Sequence, residues 1–91
     1  MPGTFMDDRR KRIRFRAWRR GFREIDLILG GFADKAVAEL GEASLQCLER
    51  LLDQSDQDVY DWIVGRAATP GEYVDLIALI RAQTLPIDRP S

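Results

Sequence analysis

The sequence predicts an all-α fold, a small compact bundle of four or five short helices in a single domain. Apolar residues recur at spacings of three and four along most of the stretch from Ile25 to Gln83, which is the period of one helix face. The 91 residues, 45% of them apolar, suffice for one small core. A strand would find no partner, because every segment except the first has this helical spacing.

The first segment is ambiguous from its own residues. Residues 12–17 alternate basic and apolar side chains, and strict alternation favours a strand. A helix that buries Ile13 and Ala17, with Phe15 and Trp18 nearby, agrees better with the helical pattern of the remaining chain. We therefore expect a helix here.

The second segment begins near residue 22 and carries an apolar series typical of a buried helix face. The series consists of Ile25, Ile28, Leu29, Phe32, Ala36, Val37 and Leu40. Gly30 and Gly31 interrupt it, and two adjacent glycines weaken a helix by about 2 kcal/mol in total. The pattern predicts a helix with a kink or a break at this pair.

A leucine stripe predicts the third helix over roughly residues 42–53. The stripe consists of Leu45, Leu48, Leu51 and Leu52. Cys47 lies off the stripe, in a position where it would be partly buried.

A shorter fourth helix follows. Ser55 or Asp56 can cap its N-terminus, and Gly65 is placed to end it. Its inner side consists of Val59, Trp62 and Ile63. Tyr60 would then face outward, which makes it a candidate contact residue.

The last helix has the clearest start signals. Thr69 is a good N-cap, Pro70 fits the first helical position, and Glu72 completes a capping box. The apolar face consists of Tyr73, Leu76, Ile77 and Ile80. We expect this helix to end near Gln83, before Pro86.

One folded domain is expected over residues 9–84. The flanking residues 1–8 and 85–91 hold three of the four prolines and show little periodicity. Both ends are therefore expected to be flexible.

Composition disfavours several kinds of functional site. A single cysteine rules out an intrachain disulfide and fits a reducing compartment. One cysteine without any histidine disfavours a zinc or haem site, and the missing histidine removes the commonest general base. No Gly-rich phosphate loop follows a strand. We predict no catalytic, metal-binding or cofactor-binding residues within this chain.

Segments that direct a protein to or across a membrane are not expected either. No apolar run reaches the length of about 18 residues that could span a bilayer. No apolar stretch follows the basic N-terminal residues, as it would in a secretory signal, and Asp7 and Asp8 are atypical of a mitochondrial presequence. The expected location is the bacterial cytoplasm.

Charge is divided unevenly along the chain. Residues 1–23 hold nine basic and two acidic side chains, a net charge of +7, whereas residues 24–91 carry −8. The basic segment, with Phe15 and Trp18 among its arginines, has the composition of a nucleic-acid-binding surface. A solvated helix face that complements the acidic body is the favoured interpretation, because that body would itself repel phosphates.

The segment from Arg19 to Asp26 is the most unusual part of the sequence. Gly21 separates a basic run from the first strongly apolar helix and would allow another molecule to approach the backbone closely. Arg20 and Glu24 are four residues apart and could share one side of a helix that starts near Gly21. The alternative is an ordinary helix start with a surface ion pair that contributes about 0.3 kcal/mol.

Residues 16–34 resemble the signature of the succinate dehydrogenase assembly factor 2 family, called SdhE in bacteria. The RGxxE motif of that family is matched by Arg20, Gly21 and Glu24. Residues 51–62 resemble a second family block, in which leucines precede acidic residues and an aromatic-x-Trp pattern. The resemblance covers about residues 9–83.

The resemblance implies a five-helix bundle and an assembly factor, not an enzyme. A member of this family binds the flavoprotein subunit of succinate dehydrogenase, and in some bacteria that of fumarate reductase. It promotes the covalent bond between FAD and a histidine of that partner, and it holds no tightly bound cofactor of its own. In a eukaryote it would act in the mitochondrial matrix.

The predicted partner-binding residues are Arg19, Arg20, Gly21, Arg23, Glu24, Asp26 and Tyr60. Arg19 stands where relatives often have histidine, a difference that leaves the RGxxE motif intact. The alternative function is a nucleic-acid-binding or antitoxin-like regulatory module that uses the basic N-terminal segment. Glu24 discriminates between the two, because a nucleic-acid site gains nothing from a carboxylate there.

Overall fold

Five α-helices and two short 3-10 turns make up the part of the chain that the computed structural model describes, residues 7–88, with side chains through residue 83. In chain order these are α1 (Asp8–Ala17), α2 (Arg23–Ala36), a 3-10 turn (Val37–Glu39), α3 (Glu42–Leu52), α4 (Asp56–Val64), a second 3-10 turn (Gly71–Tyr73) and α5 (Val74–Asp88). Residues 7–88 contain no strand, so the predicted all-α class is confirmed. None of these helices is both long and apolar enough to cross a bilayer.

The first helix, α1, resolves the ambiguous segment in favour of the helical alternative. The Asp7 side chain caps it by accepting a hydrogen bond from the backbone N–H of Arg10 at 2.9 Å. Ile13 and Ala17 are buried, as predicted, and Phe15 points into solvent. The alternation of residues 12–17 therefore reflects a narrow apolar stripe on a basic helix.

The second helix runs without interruption from Arg23 to Ala36, so the predicted kink or break at the glycine pair is wrong. The reason lies at Gly30, where a built Cβ atom would overlap the six-membered ring of the Trp18 indole. Glycine at this position lets the indole pack directly on the α2 backbone. Packing of this kind offsets the low helix propensity of the pair.

The leucine stripe of α3 and the caps of α4 agree with the sequence. All four leucines of the stripe are buried. The Ser55 hydroxyl accepts a hydrogen bond from the backbone N–H of Asp58 at 3.1 Å, and Gly65 ends α4 with a left-handed φ of 83°. Cys47 is half-buried, as expected.

The start and the end of α5 differ from the prediction. Thr69 does not cap the helix and Glu72 does not complete a capping box, because the 3-10 turn Gly71–Tyr73 comes first and no side chain caps it. The helix then continues to Asp88, beyond the predicted end near Gln83, since a proline removes one backbone donor without always ending a helix. The predicted apolar face is confirmed, with all four of its residues buried.

The expected flexible ends fall largely outside the described part of the chain. Residues 1–6 and 89–91 lie beyond it, and within it helical structure already begins at Asp8 and continues through Asp88.

The core is continuous across all five helices. The α2 helix packs against α1 and α5, and α5 also packs against α3 and α4. Phe32 of α2 is 1% exposed and has the largest side chain among the fully buried residues. Burial of a side chain of this size stabilises the fold by about 2–3 kcal/mol.

Many cations of the basic segment are neutralised by carboxylates within the chain. Arg9 of α1 contacts both Glu42 and Glu49 of α3, at 2.7 and 2.8 Å. Arg16 contacts Asp53 at 2.6 Å. The described ion pairs involve five of the nine basic residues of this segment: Arg9, Arg10, Arg14, Arg16 and Arg20. The uneven charge of the sequence thus largely represents one helix lying on an acidic body.

Candidate functional site

The candidate site is the connection between α1 and α2 together with the first turn of α2, residues 19–26, which we call the motif loop. Four of the predicted partner-binding residues in this loop are exposed: Arg19, Gly21, Arg23 and Glu24. Phe22 is the N-cap residue of α2, although no side chain caps the helix. The loop thus presents a short run of charged residues around the start of a buried helix.

Arg20 points into the protein and not toward solvent. Its side chain is only 8% exposed and forms an ion pair with Asp56 at 2.7 Å. Its guanidinium also donates to the carbonyl oxygens of Leu52 and Gln54, at 2.6 and 2.9 Å. Arg20 therefore attaches the motif loop to the connection between α3 and α4, and it satisfies the carbonyl of Leu52, the last residue of α3, and that of Gln54 in the connection.

Arg20 and Glu24 are separated by this geometry. No described hydrogen bond or ion pair joins them, and Arg20 lies before the N-cap residue Phe22, outside the helix that carries Glu24. The surface ion pair between Arg20 and Glu24, which the sequence offered as an alternative, is thus absent from the described contacts.

Gly21 and Asp26 also help to hold the motif loop against the connection between α3 and α4. A Cβ atom built at Gly21 would overlap the carboxylate of Asp56, so the close approach expected at this glycine is made by the chain itself. The Asp26 carboxylate accepts a hydrogen bond from the backbone N–H of Arg20 at 2.6 Å. Both residues hold the motif loop in one conformation, and Asp26 is half-buried as a result.

Glu24 lies at the edge of a shallow depression formed by α2 and α4. The depression has a volume of about 240 Å³ and is lined by Phe22, Glu24, Gln57, Tyr60 and Arg66. The rings of Phe22 and Tyr60 meet edge to face, with centroids 5.3 Å apart and planes at 81°. The Arg66 guanidinium lies 5.8 Å from the Tyr60 ring centroid.

The depression corrects and extends the predicted site. Tyr60 does not point freely outward but is half-buried against Phe22. Phe22, Gln57 and Arg66 were not predicted to belong to the site. The spacing of three between positions 57 and 60 on α4 was the one local signal, whereas Arg66 lies beyond the end of that helix.

This arrangement can bind a complementary protein surface. An exposed carboxylate beside two aromatic rings and one cation offers a charged acceptor and an apolar contact in one place. Among the described residues, no group of three or more His, Cys, Asp or Glu side chains is arranged to hold a metal ion.

Cys47 is the remaining reactive side chain, and its surroundings suppress its reactivity. Burial raises the pKa of the thiol, and Glu72 and Asp75 add to that rise while Arg50 opposes it. The thiol also donates a hydrogen bond to the carbonyl oxygen of Glu72 at 3.4 Å.

We expect Cys47 in the native protein to react several-fold more slowly with a disulfide reagent such as DTNB at pH 7 than Cys47 in the urea-unfolded chain. Only the thiolate is nucleophilic, and a raised pKa lowers the fraction of thiolate. Stopped-flow absorbance of both states measures the two rates. Equal rates would show that the native environment does not raise the thiol pKa.

The chain matches a family profile described as "Flavinator of succinate dehydrogenase" over residues 11–84. A relative from Dictyostelium discoideum, named succinate dehydrogenase assembly factor 2, mitochondrial, is 38% identical over 64 residues. One from Acetobacter pasteurianus, named FAD assembly factor SdhE, is 36% identical over 64 residues. Both alignments cover 70% of this chain, but 45% and 59% of the relatives, so the chain spans about half of their length.

A third relative is matched over nearly its whole length. The FAD assembly factor SdhE of Legionella pneumophila (strain Lens) is 32% identical over 76 residues, which are 84% of this chain and 96% of that protein. The region matched by the family profile, residues 11–84, includes the motif loop and all helices from α2 to α4.

Proposed function

We propose that this chain, which belongs to the family of succinate dehydrogenase flavinators, binds the flavoprotein subunit of succinate dehydrogenase and promotes covalent attachment of FAD to that subunit. The resemblance of residues 16–34 indicated the same family. Relatives are named assembly factors, which agrees with the prediction of a maturation factor and not an enzyme. We propose the flavoprotein subunit of fumarate reductase as a second client. The compartment would be that of the client, the bacterial cytoplasm or the mitochondrial matrix.

The observation that supports this proposal is the contrast between Arg20 and Glu24. The Arg20 guanidinium is paired with Asp56 of the same chain, whereas the Glu24 carboxylate is exposed in the first turn of α2. The helix fixes only the backbone of Glu24, and no described hydrogen bond or ion pair of the chain occupies its carboxylate, so the carboxylate can accept charged hydrogen bonds from a partner. Glu24 is therefore the residue of the motif that we assign to direct contact with the client.

The proposed mechanism requires no catalytic group from this chain. The flavin and a histidine of the client would supply the bond-forming chemistry. The motif loop would hold a segment of the client in the geometry that favours bond formation, which lowers the barrier by proximity and orientation. Arg19 and Arg23 lie exposed on either side of Gly21 and would extend the contact, while Arg20, Gly21 and Asp26 keep the loop in position.

The test is covalent flavin on the flavoprotein subunit, measured by in-gel fluorescence after denaturation, in cells that lack this chain and are complemented with variants. We expect Glu24→Ala to lower covalent flavin at least about tenfold, since a charged hydrogen bond contributes about 1.5–3 kcal/mol. Glu39→Ala is the matched control, because Glu39 is also exposed but lies at the other end of α2. It should complement fully.

Wild-type levels of covalent flavin with Glu24→Ala, in a protein that melts like the wild type, would exclude Glu24 as the contact residue. Unchanged covalent flavin on deletion of the whole chain would contradict the proposed function itself. The nucleic-acid alternative is disfavoured by the described ion pairs, which occupy five of the nine cations on which it depends.

A further inference from the structure

A second concave surface, which we call the aromatic groove, lies beside the motif loop. It is lined by Lys11, Arg14, Phe15, Trp18 and Arg19 and has a volume of about 390 Å³. Phe15 is 58% exposed, the highest value among the exposed large apolar residues of the described chain. The Arg19 guanidinium lies 4.0 Å from the centroid of the Phe15 ring. An aromatic ring held in this way beneath a cation is preorganised for contact with another molecule.

Fewer of the cations of this groove form described ion pairs with carboxylates than of the cations elsewhere on α1. Arg14 contacts Asp34 at 3.1 Å, and the Trp18 indole N–H donates to the same carboxylate at 3.2 Å. No described carboxylate forms an ion pair with Lys11 or Arg19, in contrast to Arg9 and its two glutamate partners. The groove therefore keeps positive charge next to an exposed apolar ring.

The groove and the motif loop are continuous through Arg19, which belongs to both and lies two residues from Gly21. We propose that the aromatic groove is a second contact with the same flavoprotein client, and that it receives an acidic segment of the client in which an apolar or aromatic side chain lies next to the carboxylates. This proposal rests on the proposed function. A second contact point restricts how the client can rotate about Glu24, which is what an orienting factor must achieve.

A protein segment fits the groove better than a nucleic acid. Arg14 is already paired with Asp34, which leaves Lys11 and Arg19 as the groove cations without a described carboxylate partner. Two cations suit a short acidic peptide, whereas a nucleic-acid strand needs cations for several successive phosphates. Arg19 covers the face of Phe15 on which a base would otherwise stack. A short acidic peptide needs only the two uncompensated cations and the exposed edge of the ring.

The experiment is the Kd of the purified chain for the purified flavoprotein subunit, measured by biolayer interferometry at 50 and 500 mM NaCl. We expect Lys11→Glu to weaken binding roughly three- to tenfold at low salt, with little difference from wild type at high salt. Phe15→Ser should weaken binding by a similar factor at both salt concentrations, because an apolar contact is not screened.

Two matched controls lie on α5, which has no extensive packing with α1. Arg81→Glu repeats the charge change of Lys11→Glu at an exposed position, and Leu79→Ser repeats the apolar loss at a residue that is 47% exposed. Both should bind the client like the wild type. All four residues are exposed, so circular dichroism melts should show folded variants.

Normal client binding by Lys11→Glu and Phe15→Ser, together with weak binding by Glu24→Ala, would overturn the groove proposal and leave the proposed function standing. Failure of the wild type to bind the flavoprotein would overturn both. Salt-dependent binding of a single-stranded oligonucleotide that Lys11→Glu and Phe15→Ser abolish, without any effect on client binding, would assign the groove to nucleic acid instead.

Discussion

Replacement of Arg20 by methionine should lower the free energy of unfolding by about 3 kcal/mol, a large share of the stability of a domain of this size. Methionine keeps much of the buried stem but removes the ion pair to Asp56 and both donors to the carbonyl oxygens of Leu52 and Gln54. These polar groups are then left without their partner in a partly buried site, where the Asp56 side chain is 28% exposed. Urea unfolding followed by circular dichroism measures the loss, which corresponds to about 12–20 °C in Tm.

Arg16→Met is the matched control for this prediction. Arg16 contacts Asp53 at 2.6 Å, as short as the contacts of Arg20, but the two side chains are 40% and 68% exposed. A solvated pair of this kind contributes at most about 1 kcal/mol, so the control should lose far less stability. If both variants lost the same free energy, burial would not be what makes the Arg20 network strong.

The two adjacent glycines of α2 should respond to alanine with opposite signs. Gly30→Ala should destabilise the fold by about 2 kcal/mol, because overpacking against the Trp18 indole outweighs a gain in helix propensity of about 1 kcal/mol. The indole cannot move away easily, since its N–H is hydrogen-bonded to Asp34 at 3.2 Å. Gly31→Ala should stabilise the fold by about 0.5–1 kcal/mol, because its Cβ would meet no atom within 4 Å.

Urea unfolding of the two variants and the wild type, followed by circular dichroism, measures both changes. The near-ultraviolet signal of Trp18 should change in Gly30→Ala only. Stabilisation by alanine at both positions would show that the indole yields at little cost and that the direct packing of Trp18 on α2 is not important for stability.

Stability and function should separate within the RGxxE motif. Arg20→Met should lower covalent flavin by unfolding the loop, and therefore with a lower Tm, whereas Glu24→Ala should lower it at an unchanged Tm. We therefore expect different roles for two motif residues that look equivalent in the sequence: Arg20, paired with Asp56, holds the motif loop, and the exposed Glu24 contacts the client. Comparison of Tm and covalent flavin for the two variants would distinguish these tasks directly.

The motif residues themselves could be identified from the sequence, but their orientation could not. Arg20 bonds to residues 32 to 36 positions away, and nothing in the local spacing indicates that its partner is Asp56 and not Glu24. Phe22 and Arg66 join the depression only because the tertiary fold brings both of them to Tyr60 of α4. The partner contacts predicted for all seven residues, including Arg20, Gly21 and Asp26, stay predictions, since they depend on a second molecule.

The sequence by itself determined the all-α class, the apolar stripes of α2 to α5 and the Gly65 cap of α4. These features depend on residues within a few positions of one another, because helix periodicity and capping are local properties. Gly65 was assigned correctly from the sequence, whereas Ser55 and Asp56 stayed alternative N-caps until the structure selected Ser55.

Only the tertiary structure decided whether α2 is continuous, how α5 begins and where the basic segment places its charge. The indole of Trp18 occupies the space that a side chain at position 30 would need. Two carboxylates of α3 neutralise Arg9. The local capping signals of Thr69 and Glu72 were overridden by a 3-10 turn that buries Tyr73. Each of these outcomes depends on groups that are distant in the chain or on burial of the core, so local propensity, which contributes about 1 kcal/mol or less per residue, was outweighed.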